Sequence, residues 1–271
     1  MLNSLEKTLP RDSYLGDANF QKEWRAIFEH SWICVGRGSA LPEPGDYLAL
    51  RLQHQSIVVV RGEEGAIAAF YNVCRHRGTE LVPLTHPGPM TGRFNRSIVC
   101  PYHAWSYHLD GRLRGTPHLS VDTNGVTLHT LPLAEWGGFL FVHLDNTTNE
   151  PLMTALGDGV DRLSRYPLAD LCGSEVITYD VAANWKVILE NYNECYHCGP
   201  VHPELCELVP AFKQSGGSEL NWDDGVPHRA GANTFTVSGT TTRSPFPGLS
   251  EGEKTHHKGE LFYPNLMLSL S

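Results

Sequence analysis

The sequence predicts an α+β protein: an antiparallel β domain inserted after an N-terminal helical segment, then a helix-and-antiparallel-sheet domain. Three observations predict it. Phe20, Trp24, Ile27 and Phe28 recur at i, i+4, i+7 and i+8, one apolar helical face. From Cys34 to Asp145 the chain alternates short β-branched and aromatic runs with Gly-rich turns. Beyond Pro151, helical spacing returns and alternates with strand-like runs to residue 271. A chain of 271 residues holds one large domain or two smaller ones, each with its own core. The expected boundaries are 1–34 for the helical segment, 35–145 for the β domain and 146–271 for the second domain, whose last strand-like run ends without a cap, as in a truncated domain.

The elements follow in order. Residues 17–31, DANFQKEWRAIFEHS, read as a helix with Asp17 as N-cap. GDYLALRL (45–52), SIVVVRG (56–62) and AIAAFYNV (66–73) read as strands, and SYHLDGRLRG (106–115) as a hairpin turning at Asp110-Gly111. WGGFLFVHLD (136–145) closes the β section. Pro151–Tyr166 is helical in spacing. GSEVITYDVAAN (173–184) reads as a strand running into the helical stretch NWKVILENYNECYH (184–197). LCELVPAFK (205–213) reads as a short helix, ANTFTVSGTTT (232–242) as a strand, and LFYPNLMLSLS (261–271) as one apolar strand.

Composition excludes several classes. Hydrophobic residues make up 41% and charged residues 19%, the balance of a folded protein. No apolar run reaches bilayer length and the start lacks a basic-then-apolar leader, so a cytoplasmic protein without membrane contact is expected. A net charge of −9 argues against nucleic acid as partner. Seven cysteines, an odd number, fit thiols and metal ligands better than disulfides.

Cys74-Arg75-His76 is followed, after 23 intervening residues, by Cys100-Pro101-Tyr102-His103. Two Cys-plus-His pairs in turns beside strands suit a Cys2His2 zinc site, or a [2Fe–2S] cluster with two thiolates on one iron and two imidazoles on the other. CRHRG with CPYHAWSY closely resembles the Rieske domain of ring-hydroxylating-type oxygenases, with Cys74, His76, Cys100 and His103 at the cluster positions. The gap between the pairs is longer than usual, and PLTHPGPMTGRFNRS (83–97) accounts for it as a surface loop. His108 and His118 lie off the motif and read as surface or hairpin residues; Trp105 and Tyr107 read as packing.

The stretch ENYNECYHCGPVHPEL (190–205) places Glu194 and His197 at i and i+3, on one face of a helix, with His202 beyond Gly199-Pro200. Two histidines and a carboxylate on one face of an iron leave positions open for dioxygen. Cys195-x2-Cys198 also has the spacing of a redox dithiol, though outside a βαβ unit, and with His197 and His202 that of a zinc site. ANWKVILENYNECYHCGPVHPEL is similar to the catalytic signature of Rieske non-haem iron oxygenase α subunits, and Glu within ENYNECYHC is closest to the quaternary-amine group acting on choline, glycine betaine or carnitine. The resemblance implies that His197 and His202 ligate a mononuclear Fe(II). It implies that Glu194 bridges electrons from His103 of one subunit to His197 of the next, and that Asn191 lies near the iron. Cys195, Cys198 and Cys206 are then packed thiols.

The resemblance further implies a homotrimer, a separate flavin/iron–sulfur reductase passing NAD(P)H electrons to the cluster, and insertion of dioxygen-derived oxygen into a small substrate. The third iron ligand, a carboxylate, is expected beyond residue 271; Asp223 and Asp224 read as turn residues. A cationic substrate would call for aromatic faces, for which Tyr192, Phe212, Trp222 and Phe235 are candidates that also suit a core. Three other readings are an aromatic-ring dioxygenase, a Rieske electron-transfer protein without oxygenase activity, and a zinc-stabilised binding module.

Overall fold

A computed structural model describes residues 7–86, 88–117, 119, 122, 124–173, 175–217 and 220–271; His118 falls outside them. The chain divides into two compact units. One is formed by Phe28–Ala155 and Leu168–Tyr179, the other by described parts of Met1–Ile27, Leu156–Pro167 and Asp180–Ser271. Among the described residues, no helix is long and apolar enough to cross a membrane.

The chain begins with α1 (Asp12–Leu15) and α2 (Asp17–Ala26). Trp24 and Phe28 of the expected apolar face are buried. Asp17 is not the cap: Gly16 occupies that position in extended conformation, and Asp17 lies in the first turn, where its charge suits the helix N-terminus. The helix ends at Ala26 and a tighter turn, Phe28–His30, follows.

The β unit contains β1 (Trp32–Arg37), β2 (Asp46–Leu52), β3 (Gln55–Arg61), β4 (Ile67–Tyr71), β5 (Met90–Arg93), β6 (Ile98–Val99), β7 (Ser106–Tyr107), β8 (Leu113–Gly115), β9 (Thr130–Leu131), β10 (Leu133–Trp136) and β11 (Phe139–His143). They form antiparallel sheets in the orders β5-β2-β3-β4-β9, β1-β11-β10 and β6-β7-β8. Ile57 to Val60 in β3 are fully buried on both faces, which is why this run lacks polar alternation. The 83–97 segment is not all loop. β5 pairs with β2 (Asp46↔Arg93 to Ala49↔Met90), and Arg93 Nε donates to Asp46 Oδ1 at 2.5 Å. The expected hairpin joins β7 to β8. Gly111 sits at φ +87°, where a Cβ would lie 2.4 Å from Phe70 Cε1, so neither the angle nor the space admits another residue.

Pro151–Tyr166 splits into α3 (Leu152–Leu156) and α4 (Gly159–Arg162). The second unit continues with α5 (Trp185–Asn193), α6 (Cys198–Val201), α7 (Pro203–Leu208) and a sheet of β12 (Val226–Pro227), β13 (His256–Phe262) and β14 (Leu266–Leu270) in that order. Three expected strands are corrected. Residues 173–184 form no strand among those described: Val176, Ile177, Tyr179 and Val181 are 88%, 64%, 78% and 53% exposed. Apolar β-propensity there finds no strand to pair with. Residues 232–242 are turns, because Ser238 and Thr240 hydroxyls hydrogen-bond locally in place of a ladder. LFYPNLMLSLS is two elements, since Tyr263-Pro264-Asn265 turns the chain from β13 into β14.

Candidate metal centres

The cysteine loops of the β unit share one backbone design. Cys74 N–H donates to Thr79 O at 2.8 Å and Gly78 N–H returns to Cys74 O at 3.0 Å. Cys100 N–H donates to Trp105 O at 2.8 Å and Ala104 N–H returns to Cys100 O at 3.1 Å. In both loops the fifth residue is left-handed, Gly78 at φ +74° and Ala104 at φ +55°. This closure holds each cysteine at the base of its loop and its histidine on the way to the tip.

Both thiols are 3% exposed, and they share a core with Leu109, Ile98 and Tyr107. Burial pushes the Cys74 thiol up, and the neighbouring Cys100 adds to the rise. The Tyr107 hydroxyl accepts from Arg75 N–H at 3.0 Å and lies 3.2 Å from Cys74 Sγ. With that lone pair engaged, its own proton is free to point at the sulfur. The His76 and His103 rings face edge-on at 4.9 Å, and Trp105 stacks on His76 at 4.7 Å and 6°. Desolvation lowers the His76 pKa, and His103 and Arg77 lower it further. His76 Nδ1 is buried without a hydrogen-bond partner.

An orphaned imidazole nitrogen facing a second histidine, above two adjacent buried thiols, fits a two-metal cluster with one donor pair on each metal. Among the described residues, no three His, Cys, Asp or Glu side chains gather closely enough around one point to be found as a single-ion site. Tyr107 and Trp105 pack in the core as expected, Tyr107 with its hydroxyl 3.2 Å from Cys74 Sγ and Trp105 stacked on His76. Tyr107 lies in β7 and Trp105 just before it, and their place directly after Cys100-Pro101-Tyr102-His103 was the signal available for them.

The second constellation is assembled differently from the expectation of one helix face. α5 ends at Asn193, and Glu194 is extended at φ −132°, ψ 146°. The chain turns at Tyr196-His197, forms α6 through Gly199-Pro200, and passes His202 into α7 with Pro203 in its first turn. Glu194 and His197 still meet, because the turn folds back: His197 Nδ1 donates to Glu194 Oε1 at 2.5 Å. Glu194 Oε2 accepts from Tyr196 N–H, also at 2.5 Å. The hydrogen bond from His197 holds the Glu194 carboxyl below its ordinary range, although desolvation opposes this. An anionic acceptor requires the proton on Nδ1, which leaves the His197 Nε2 lone pair for a metal. The His197 and His202 rings lie 5.5 Å apart at 79°. This pair of imidazoles fits two positions of a metal's coordination sphere, and no third donor joins them among the described residues. Asn191 is exposed on the last turn of α5.

Asn184 caps α5, its side chain accepting from Lys186 N–H at 3.1 Å. The helix is clamped by Lys186 Nζ and Trp185 Nε1, both donating to Glu23, and by Tyr14 Oη donating to Glu190 at 2.6 Å. Deeper in the unit, Glu253 takes Arg165 at 2.7 Å and the buried Lys258 at 3.2 Å. Burial alone would raise the Glu253 pKa, but bonds from Arg165, Ser250 and Lys258 take it down to about 2. Sequence reading missed this network, in which Arg165 and Glu253 stand 88 residues apart.

Cys195, Cys198 and Cys206 are buried in one apolar cluster with Val209 and Phe212. Burial pushes the Cys195 thiol up to about 12, the state of an inert packed thiol. Of the aromatic candidates, Phe212, Trp222 and Phe235 surround the buried His257 at 5.8, 6.1 and 4.2 Å, while Tyr192 donates to Leu268 O at 2.7 Å. Asp223 and Asp224 stand in a turn, both N–H groups donating to Asn221 Oδ1. His108 is half-buried in the hairpin.

Two family models match the chain: the Rieske [2Fe-2S] domain over residues 31–132 and the ring hydroxylating alpha subunit catalytic domain over residues 168–271. The carnitine monooxygenase oxygenase subunit of Acinetobacter pittii is 37% identical over 221 residues, 79% of this chain and 58% of that protein. The putrescine 2-hydroxylase of Ralstonia nicotianae is 33% identical over 279 residues, 97% of this chain and 69% of that protein. The crystal structure of the quaternary ammonium Rieske monooxygenase CntA with its substrate gamma-butyrobetaine superposes with a TM-score of 0.66 at 38% identity, covering 72% of this chain and 56% of that one. The chain thus spans a little over half the length of the carnitine relatives it matches. It belongs to the Rieske non-haem iron oxygenases, ring-hydroxylating α-subunit type, whose cofactors are a [2Fe–2S] cluster and a mononuclear iron.

Proposed function

We propose that this Rieske oxygenase chain is the oxygenase component of a system that uses reductase-supplied NAD(P)H electrons and dioxygen to oxidise a small organic cation, foremost a quaternary ammonium compound. Cys74, His76, Cys100 and His103 would hold the [2Fe–2S] cluster, and His197 and His202 the mononuclear iron. When bound, these groups supply one-electron storage and dioxygen activation. The observation that carries the reading is the Glu194–His197 contact at 2.5 Å, which aims a metal-ready nitrogen while keeping an anion beside it.

The chain's own residues have definable tasks. Glu194 fixes the His197 tautomer and, through its remaining lone pairs, accepts from a second imidazole N–H. We assign that partner to His103 of a neighbouring subunit, an exposed residue on its loop; CntA is described with inter-subunit electron transfer. A trimer is the arrangement we propose. Asn191 is placed near the iron by motif position alone. Tyr107 donates toward Cys74 and disperses sulfur charge, which favours electron acceptance. The names of the relatives support the substrate class: carnitine, gamma-butyrobetaine and putrescine all carry a cationic nitrogen. A cytoplasmic location is proposed on the seven free cysteines.

The test is NAD(P)H-linked oxygen uptake by the protein with a reductase. Choline, betaine or carnitine should raise the rate, with formaldehyde released where an N-methyl group is hydroxylated; naphthalene should not. Stimulation by arenes alone would move the protein to the ring dioxygenases. Metal analysis separates the other readings: about two irons and two sulfides per chain indicate an electron-transfer protein, and a third iron the oxygenase.

A further inference from the structure

A cleft of about 250 Å³ opens in the unit that carries Glu194 and His197. Trp222 and Tyr192 border it, with Gly259 between them and Arg162, Asp223 and Glu260 supplying its charge. We propose that this cleft is a binding site for a small organic cation.

The charge balance is one cation short. Arg162 is spent on Glu260, donating Nε to Oε2 at 2.8 Å and Nη2 to Oε1 at 2.7 Å. Asp223 approaches the same guanidinium only at 3.7 Å, and its side chain is 82% exposed. One guanidinium therefore faces two carboxylates. The surplus is negative and lies at the solvent end, beside Trp222. Glu260 takes the Nε and Nη2 edge of Arg162 and Asp223 stands nearest Nη1, so two carboxylates oppose any anion there.

The walls suit the same ligand. Trp222 is backed by Phe212 at 6.1 Å and His257 at 6.1 Å, and Tyr192 is pinned through its hydroxyl to Leu268 O. Both rings are thus held in place before a ligand arrives, which lowers the ordering cost of binding. A Cβ on Gly259 would stand 3.0 Å from Trp222 Cζ3 and 3.2 Å from Tyr192 Oη, so a side chain there would push the two rings off the floor. Aromatic rings beside an under-compensated carboxylate attract an ammonium group more than its uncharged isostere. Tyr192 and Asn193 end α5 and Glu194 follows at once, so the cleft begins where the metal-site turn begins.

The inference rests on the proposed function for its choice of probe, and the two can fail separately. Calorimetric titration of the whole protein would use tetramethylammonium, choline and 3,3-dimethyl-1-butanol, the uncharged carbon analogue of choline. Choline is expected to bind roughly tenfold tighter than the alcohol. Gly259→Ala and Trp222→Ala should each weaken choline severalfold. Asp223→Asn, at an exposed position that cannot cost the fold, should weaken it about threefold and flatten its salt dependence. Equal binding of choline and the alcohol, or parent affinity in Asp223→Asn and Gly259→Ala, overturns the cleft. Choline binding that follows these variants without any turnover of ammonium compounds leaves the cleft standing and removes the proposed activity. Turnover with unchanged KM in all three variants does the reverse.

Discussion

The two donor sets are built by opposite means. Cys74, His76, Cys100 and His103 hang from loops closed by the same pair of backbone hydrogen bonds, beside thiols that are 3% exposed. Glu194, His197 and His202 lie in a turn between short helices, and their order depends on charge: Glu194 on His197, Lys186 on Glu23, Lys258 and Arg165 on Glu253. Burial and backbone closure fix geometry with little dependence on pH or salt. Charge contacts fix it only while the charges persist. The first set is a preformed nest; the second is a latch that solution conditions can release.

Removing a donor from the nest should give the largest effect. Cys74→Ser is expected to abolish the cluster, removing about two irons and two acid-labile sulfides per chain and leaving only the mononuclear iron. His202→Ala should leave sulfide unchanged and lower only the mononuclear iron. Retention of sulfide in Cys74→Ser would mean that the β unit does not hold the cluster on these residues.

The latch is tested next by Glu194→Ala. Loss of an orienting carboxylate beside a metal histidine costs roughly 10- to 100-fold in metal affinity or activity. Single-turnover reoxidation of the pre-reduced cluster should slow by that factor, while the visible spectrum of the oxidised cluster stays that of the parent. Glu194→Gln keeps an acceptor without the charge and should fall between. A spectrum that changes along with the rate would show that Glu194 acts on the fold instead.

A third test asks whether charge supports the second unit. Glu253 is 3% exposed and Lys258 5%. Glu253→Gln leaves Lys258 buried against a neutral amide, and breaking such a pair costs about 3–5 kcal/mol. The sign with pH follows from the depressed pKa. Glu253 sits at about 2 in the fold against an ordinary 4.5, so its contribution is whole above 4.5 and is lost as pH falls toward 2. Denaturant unfolding at pH 7 and pH 3 should show the parent losing more than the variant. Equal losses would mean that other carboxylates govern the acid response.

How much of this was legible in the sequence follows the same division. The nest was legible because cysteine and histidine spacing within a short loop is chemistry written locally. Glu194, His197 and His202 were legible as a set but not in their geometry, since helical periodicity does not reveal that α5 stops at Asn193. The Glu253 network was illegible, because nothing local in Arg165 or Lys258 names its partner. Strand propensity misread 173–184 and 232–242, where partner strands or competing Ser and Thr hydroxyls decide the outcome.

The smallest effect lies within the nest, between its two loops. They differ at the left-handed position: Gly78 takes φ +74° freely, while Ala104 takes φ +55° with a Cβ. A left-handed L-residue costs roughly 1–2 kcal/mol, and glycine gives back about 0.5–1 kcal/mol through its looser unfolded chain. Ala104→Gly should therefore stabilise the β unit by about 0.5 kcal/mol, and Gly78→Ala should destabilise it by about 1 kcal/mol. Ala104 N–H also closes the loop onto Cys100 O, so relief of strain should leave that bond, and with it the cluster spectrum, in place. Thermal melts followed at the cluster absorbance resolve the difference. A destabilised Ala104→Gly would mean that the methyl group itself packs against the loop, and the shared backbone design would then rest on different side-chain support in its two halves.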